Sequence, residues 1–491
     1  MAGTPIIRRT AALMAVLALI VAACGGGTAT RAPSAAQSAA ASSGGSSAEP
    51  TDAESAEPTD AESAEPSDAA SAEPSDAASA EPSDAASAEP SDAASAEPSD
   101  AASAEPSDAA SAEPSGSGPT GAASCEGATA NQFFDQAECE EQLRLRGVTA
   151  EGDPATPWLQ ALEPDFRDTA EFASTEEGNW KICFSNAGVD NPWRVVGFNT
   201  MEHEVAIQQA AGLIAPGTDG FVHVVAEGSD EKQISDIADL LTQDCDALIV
   251  SPNTTEALTP AVESACQAGL PVIVFDRGVN TDCTVTFIKP IGGYAFGADA
   301  AEFLVENVPA GGNIVALRIL PGVDVLETRF LAAEAIFNQN GLTILDSEFT
   351  EGDPANTKTI IADILAAGDT IDGVWMDAGA TSVGAIEAFE DAGLPVPPIT
   401  GEDQNDFLLK WQADGLTAVA PTYPTYQWRT PILAAVMILQ GEQVPANWNL
   451  PQPKITAETL DQYAAPDLPP LFYPLCGCQE MDGFPEDWQG T

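Results

Sequence analysis

Positive charge is what this sequence has least of. Of 491 residues only 17 are lysine or arginine and 2 are histidine, against 76 aspartates and glutamates, for a formal net charge of −59. So acidic a surface repels phosphate backbones, which argues against nucleic acid as a partner. The two histidines leave little for acid–base chemistry. His203, in a helical MEHE stretch, reads as part of a solvated face, and His223, flanked by apolar residues in a strand, reads as structural. There is no GxxxxGK[ST] phosphate loop, no HExxH pair and no nucleophile elbow, so no catalytic residue and no cofactor is assigned and the chain is not expected to be an enzyme. Cys476-Gly477-Cys478 lacks CxxC spacing and has no histidine nearby, which speaks against a metal site. The apolar run Ala11 to Ala23 is too short to be a comfortable membrane span.

That run follows Arg8 and Arg9 and ends Val21-Ala22-Ala23-Cys24 before three glycines, which resembles a bacterial lipobox. By that resemblance residues 1–23 are a signal peptide, Cys24 is lipidated, and the protein is anchored to the outer face of the cytoplasmic membrane. An ordinary signal peptide or a single anchor helix would also place it outside the cytoplasm. Residues 24–124 are low in complexity. Between Glu49 and Ser115 a SAEPSDAA unit recurs every eight residues, and no unit has an aromatic or large aliphatic side chain. Stacked repeats would bury nothing to offset the entropy of ordering, so the segment is a disordered acidic linker rather than a solenoid. At roughly 3 Å per residue its reach is on the order of 200–300 Å. The repeat holds 19 of the 76 acids, and 3 of the 17 bases precede Cys125; the rest of the chain keeps 57 acids against 14 bases, a net −43. Such a fold suits high salt, where screening relieves self-repulsion. Eight cysteines follow Cys24, an even number that in an exported chain points to disulfides, with 105 possible connectivities.

Residues 125–178 read as a flanking cap segment. After Asn179 strands and helices alternate. Strands are expected at Lys181–Ser185, Phe221–Ala226, Ala247–Val250 and Val272–Phe275, with a short edge strand at Thr284–Ile288. The chain breaks at Pro290 to Gly293 and the rhythm restarts, with strands at Asn313–Ile319, Thr343–Glu348, Gly373–Met376, Pro398–Gly401 and Ala418–Ala420. This alternation predicts an α/β protein of two doubly wound parallel-sheet lobes joined by a hinge, with a ligand cleft between them. The N-terminal lobe is assigned residues 179–290 plus 424–445, the C-terminal lobe 291–423 plus 446–465, and residues 466–491 form an extension without an assigned role.

The stretch Pro271 to Thr281, PVIVFDRGVNT, runs a buried strand into Asp276 and Arg277. An acid and a guanidinium at the carboxyl end of a parallel strand address the crevice where ligands bind, the acid accepting hydroxyl protons and the arginine donating. A structural salt bridge is the alternative. From about Trp180 to Gly441 the chain resembles the periplasmic sugar-binding proteins of the ribose-binding type, the type I solute receptors of ABC importers. The resemblance rests on FSNAGVDNPWR at Phe184 to Arg194, PVIVFDRGVNT, Arg329 after GNIVALRIL, VWMDAGATSVGA, GEDQN at Gly401 to Asn405, and PTYP at Pro421 to Pro424.

The resemblance implies a hydrogen-bonding role for Asn191 and a stacking face for Trp193, with a helix-start turn as the other reading of both. It also implies ligand contacts for Asp276, Arg277, Arg329 and Asp403. Arg194 is added because bases are so scarce in the domain, Asp377 as a neighbour of the position where the family has asparagine, and Thr422 and Tyr423 because they lie at the third crossing between lobes. Glu402 stands where the family often has an aromatic. The expected ligand is a monosaccharide or similar polyol, handed by a monomeric, lipid-anchored receptor to permease subunits. A sensor for chemotaxis or signalling and a surface adhesion lipoprotein are the alternatives.

Overall fold

The structure is a computed structural model that describes residues 124–189, 191–378, 381–479, 481 and 483–485. The expected signal peptide, the Cys24 lipidation site and residues 24–123 of the linker lie outside the described residues. Among the described residues no helix is long and apolar enough to cross a membrane, and no His/Cys/Asp/Glu cluster suits a metal ion.

Helix α1 (Gln136–Leu145) is started by Asp135, whose carboxylate accepts from the Glu138 amide at 2.8 Å. The two-residue strand β1 (Phe166–Arg167) follows. The first sheet then assembles from β2 (Ile182–Asn186), β3 (Phe221–Val225), β4 (Ala247–Ser251), β5 (Val272–Phe275) and β6 (Thr286–Pro290). Between them run α2 (Pro192–Ala210), α3 (Asp230–Leu240) and α4 (Thr255–Gln267). β2, β4 and β5 are buried along their whole length, as strands covered by helices on both faces must be, whereas β3 closes one edge and is only half-buried.

After β6 the chain crosses over through α5 (Gly292–Asn307) and builds a second sheet of β7 (Asn313–Arg318), β8 (Thr343–Phe349), β9 (Gly373–Met376), β10 (Ile399–Thr400) and β11 (Ala418–Pro421). α6 (Asp324–Gln339), α7 (Pro354–Ala367), α8 (Ser382–Asp391) and α9 (Asn405–Asp414) connect them. α5 packs closely on α6 because position 297 is glycine: a Cβ there would fall 1.9 Å from the Arg329 carbonyl oxygen. That close approach sets where Arg329 stands.

The chain returns through α10 (Thr430–Leu439), which packs on β4, β5 and β6 of the first lobe. β12 (Val444–Pro445) pairs antiparallel with β1. β13 (Asn447–Leu450) then runs parallel to β6, and β14 (Lys454–Ile455) pairs antiparallel with β11, before a short α11 (Leu460–Tyr463). Two expectations are corrected here. The strand expected as an edge at Thr284–Ile288 is interior, because β13 covers it. Residues 446–465, expected whole in the C-terminal lobe, are divided between the two sheets, β13 in the first and β14 in the second. The strand orders are β13-β6-β5-β4-β2-β3 and β14-β11-β10-β9-β7-β8.

Segment 125–178 braces both lobes. Arg146 reaches Asp299 and Glu302 on α5 at 3.0 and 2.8 Å, and Glu138 pairs with Lys289 on β6. Trp158 lies 3.6 Å beneath the guanidinium of Arg429. Arg429 in turn is bound at 2.6 Å by Glu204, which is buried although the MEHE stretch around it reads as solvated. The eight cysteines pair as Cys125–Cys139, Cys183–Cys245, Cys266–Cys283 and Cys476–Cys478.

Candidate functional site

Three strands of the first sheet deliver polar groups from their carboxyl ends to one point. Asn186 ends β2, Ser251 ends β4, and Asp276 follows β5. Arg194, in the first turn of α2, binds all three: Asn186 Oδ1 at 3.0 Å, Ser251 Oγ at 3.3 Å and Asp276 Oδ2 at 2.9 Å. Ser251 also donates to Asp276 Oδ2 at 3.3 Å. These bonds fall on Oδ2, which leaves Oδ1 to accept from a ligand. Asp276 holds a positive φ of 69°, a left-handed conformation that aspartate tolerates better than most non-glycine residues. Arg194 also lies 5.7 Å from the Trp193 ring centroid and 5.8 Å from that of Trp428.

Asn191 caps α2, its side-chain oxygen accepting from the Arg194 amide at 3.0 Å. Its amide nitrogen donates to no other described residue. Trp193 donates its indole N–H to the Tyr423 carbonyl at 2.7 Å and packs its ring 5.4 Å from that of Tyr423. Arg277 donates to the Asn253 carbonyl at 2.7 Å. From the second lobe, Arg329 donates to the Asp377 carbonyl, stands 3.7 Å from Glu402, and lies over the rings of Phe296 and Tyr423 at 3.9 and 4.5 Å. Tyr423 spans the lobes, its hydroxyl donating to the Asp276 carbonyl at 3.0 Å.

These groups enclose a cavity of about 500 Å³, within the range of small-molecule sites. Of the ten residues expected to bind ligand, Asn191, Trp193, Arg194, Asp276, Arg277, Arg329 and Tyr423 line it. Asp377, Asp403 and Thr422 do not: all three are buried behind its wall. Asp377 accepts from the Ile319 amide at 3.2 Å, Asp403 from the Tyr423 amide at 3.1 Å, and Thr422 donates to the Pro453 carbonyl at 2.7 Å, so their visible work is to hold the wall in place. A larger cavity of about 840 Å³ lies beside α1. It contains none of the ten, and the smaller one at the strand ends is the better candidate.

A model of the periplasmic binding protein domain matches residues 182–443. The chain belongs to this family. Relatives of this periplasmic binding protein include ribose import binding protein RbsB of Bacillus subtilis (strain 168), 26% identical over 228 residues, 46% of this chain and 74% of the relative. The D-xylose-binding periplasmic protein of Escherichia coli (strain K12) is 27% identical over 258 residues, 51% of this chain and 76% of the relative. Among solved structures, an ABC transporter solute binding protein from Thermobispora bispora DSM 43833 superposes with a TM-score of 0.54 at 26% identity, over 60% of this chain and 89% of that one. The fold is that of the type I periplasmic sugar-binding proteins, and the family binds ligands rather than transforming them, so this member is not an enzyme.

The binding protein's cavity wall also includes Asn253, Thr254, Glu351, Thr381, Glu402 and Tyr473, none of them among the ten. Asn253 follows β4 as Asp276 follows β5, so the rule that singled out Asp276 applies to it equally. Tyr473 carries no such signal, since it sits in an irregular proline-rich tail. His223 is structural: it stacks on Phe198 and Phe184 at 4.1 and 5.1 Å, and burial lowers its pKa to about 4.

Burial lifts Asp377 to about 7 and Asp403 to about 6, the Arg329 charge opposing it in both. An unfolded aspartate titrates near ~3.9, so the folded protein holds these protons more tightly. Their contribution to stability is present below the unfolded value and is lost as pH rises through 6 to 7. Asp377→Asn keeps an acceptor for Ile319 without the charge. It is expected to be more stable than the parent at pH 8 and to flatten the fall in melting temperature between pH 5 and pH 8, read by thermal unfolding across that range.

Proposed function

We propose that this protein is the lipid-anchored solute receptor of an ABC importer, binding a neutral monosaccharide or polyol between its lobes and handing it to a membrane permease. The observation that carries this reading is charge balance. In a chain with 76 acids and 17 bases, the described residues of the cavity wall carry three of each: Asp276, Glu351 and Glu402 against Arg194, Arg277 and Arg329. A wall with no net charge favours a neutral ligand over a polyamine or an anion. Arginine donors and carboxylate acceptors on the same wall as the Trp193 ring suit a molecule with many hydroxyls and apolar C–H faces. The names of relatives agree in kind, since they bind ribose, xylose and xylitol.

Cys24 and the linker supply the tether in this reading. Asp377, Asp403 and Thr422 act behind the wall, and the seven lining candidates act on the ligand. A thermal-shift screen of the full chain in high salt against D-ribose, D-xylose, xylitol, D-fructose, myo-inositol and spermidine tests it. At a hundredfold excess over its dissociation constant a true ligand adds about 2.7 kcal/mol of stability. A rise with one of the neutral sugars or polyols is expected. A rise with spermidine alone, or none with any in a folded sample, overturns the reading.

A further inference from the structure

The C-terminal extension, which lies beyond the 182–443 family match, contributes a buried residue to the ligand cavity. Tyr473 is only 2% exposed yet lines that cavity, and its hydroxyl makes no hydrogen bond to another described residue. A phenol that lines a cavity without a protein partner is met there by water or by a ligand group.

The backbone around it is firmly held. Asn405, the first residue of α9, donates from its side chain to the carbonyls of Ala465, Leu468 and Pro469 and accepts from the Ala465 amide. The amides of Asn405 and Asp406 bind the Phe472 and Pro470 carbonyls at 2.8 Å each, and the Tyr426 amide binds Leu475 at 3.1 Å. Phe472 is buried on one side of Tyr473 in sequence, and the Cys476–Cys478 disulfide is buried on the other. Gly477 sits at φ +61° where a Cβ would fall 2.6 Å from the Trp158 ring, so the turn is fitted to the domain rather than draped over it. Desolvation pushes the phenol well above its usual pKa, and the nearby Glu402, Asp403 and Asp406 carboxylates push the same way, so it is a neutral donor.

We propose that Tyr473 is a ligand-contacting specificity residue, its hydroxyl donating to one hydroxyl of the bound sugar or polyol while Glu402, which shares the same wall, accepts that hydroxyl's proton. An alcohol both donates and accepts, so a phenol and a carboxylate on one cavity wall together offer it an acceptor and a donor, whereas a deoxy position uses neither. This inference rests on the receptor reading and adds to it that the tail helps select the ligand.

The test is calorimetric titration of the full chain and of Tyr473→Phe with D-ribose, D-xylose and xylitol, then with the monodeoxy analogues of whichever binds. Tyr473→Phe keeps the ring and its packing, so its melting temperature without ligand should match the parent's. Affinity is expected to fall about tenfold, and for one deoxy analogue the substitution should cost nothing further, a coupling that a purely structural role would not produce. Asp276→Ala serves as the control. If it weakens binding while Tyr473→Phe binds every ligand like the parent, the role of Tyr473 is overturned and the receptor reading stands. If the unsubstituted protein binds none of these three, nor D-fructose or myo-inositol, both fall.

Discussion

Asp276→Ala is expected to weaken sugar binding by roughly ten- to a hundredfold, the effect of losing the charge-assisted hydrogen bond that Oδ1 accepts. It should also lower unfolding free energy by roughly 3–5 kcal/mol, the usual cost of removing one partner of a buried ion pair. Both effects follow from one arrangement. Arg194 and Asp276 are almost wholly buried, with side chains 3% and 5% exposed. Without the carboxylate, Arg194 keeps only the neutral oxygens of Asn186 and Ser251 as acceptors, and the ligand loses the Oδ1 acceptor. Asp276→Asn separates the two effects: it keeps the shape and an acceptor, so most of the stability loss should remain while the binding loss shrinks. Calorimetry for affinity and urea unfolding for stability check both.

Removing the Cys183–Cys245 disulfide with a double alanine substitution is expected to lower stability by about 4 kcal/mol, the loop-closure entropy for a separation of 62 residues. Cys183 lies within the buried strand β2, and Cys245 stands just before the buried strand β4. The bond thus staples the two neighbouring strands whose far ends carry Asn186 and Ser251. The same substitution at Cys476 and Cys478, two residues apart, closes almost no loop and should cost far less. Comparing urea midpoints of the two double variants tests the contrast.

The regular alternation of apolar strands and amphipathic helices made the two lobes legible, because parallel strands buried on both faces are continuous apolar runs such as ALIVS and VIVF. The strand-end rule likewise singled out Asp276, and scarcity of bases singled out Arg194. What stayed hidden depends on long-range return of the chain. β6 reads as an edge until β13 arrives from 160 residues later to cover it. Asp377 and Asp403 sit at strand ends as ligand groups would, yet their carboxylates turn to the Ile319 and Tyr423 amides. Tyr473 reaches the cavity only because Asn405 and Tyr426 hold an irregular tail in place, and no local pattern encodes that.

In the proposed receptor a neutral hydroxylated ligand is held between Trp193, Asp276 and Arg329. A crystal structure of the protein grown with the tightest-binding sugar measures this directly. Density for the sugar in the cavity of about 500 Å³, with a hydroxyl within hydrogen-bond distance of Asp276 Oδ1, is the predicted result. A sugar seated instead in the cavity of about 840 Å³ beside α1, with the strand-end cavity holding only water, would contradict it.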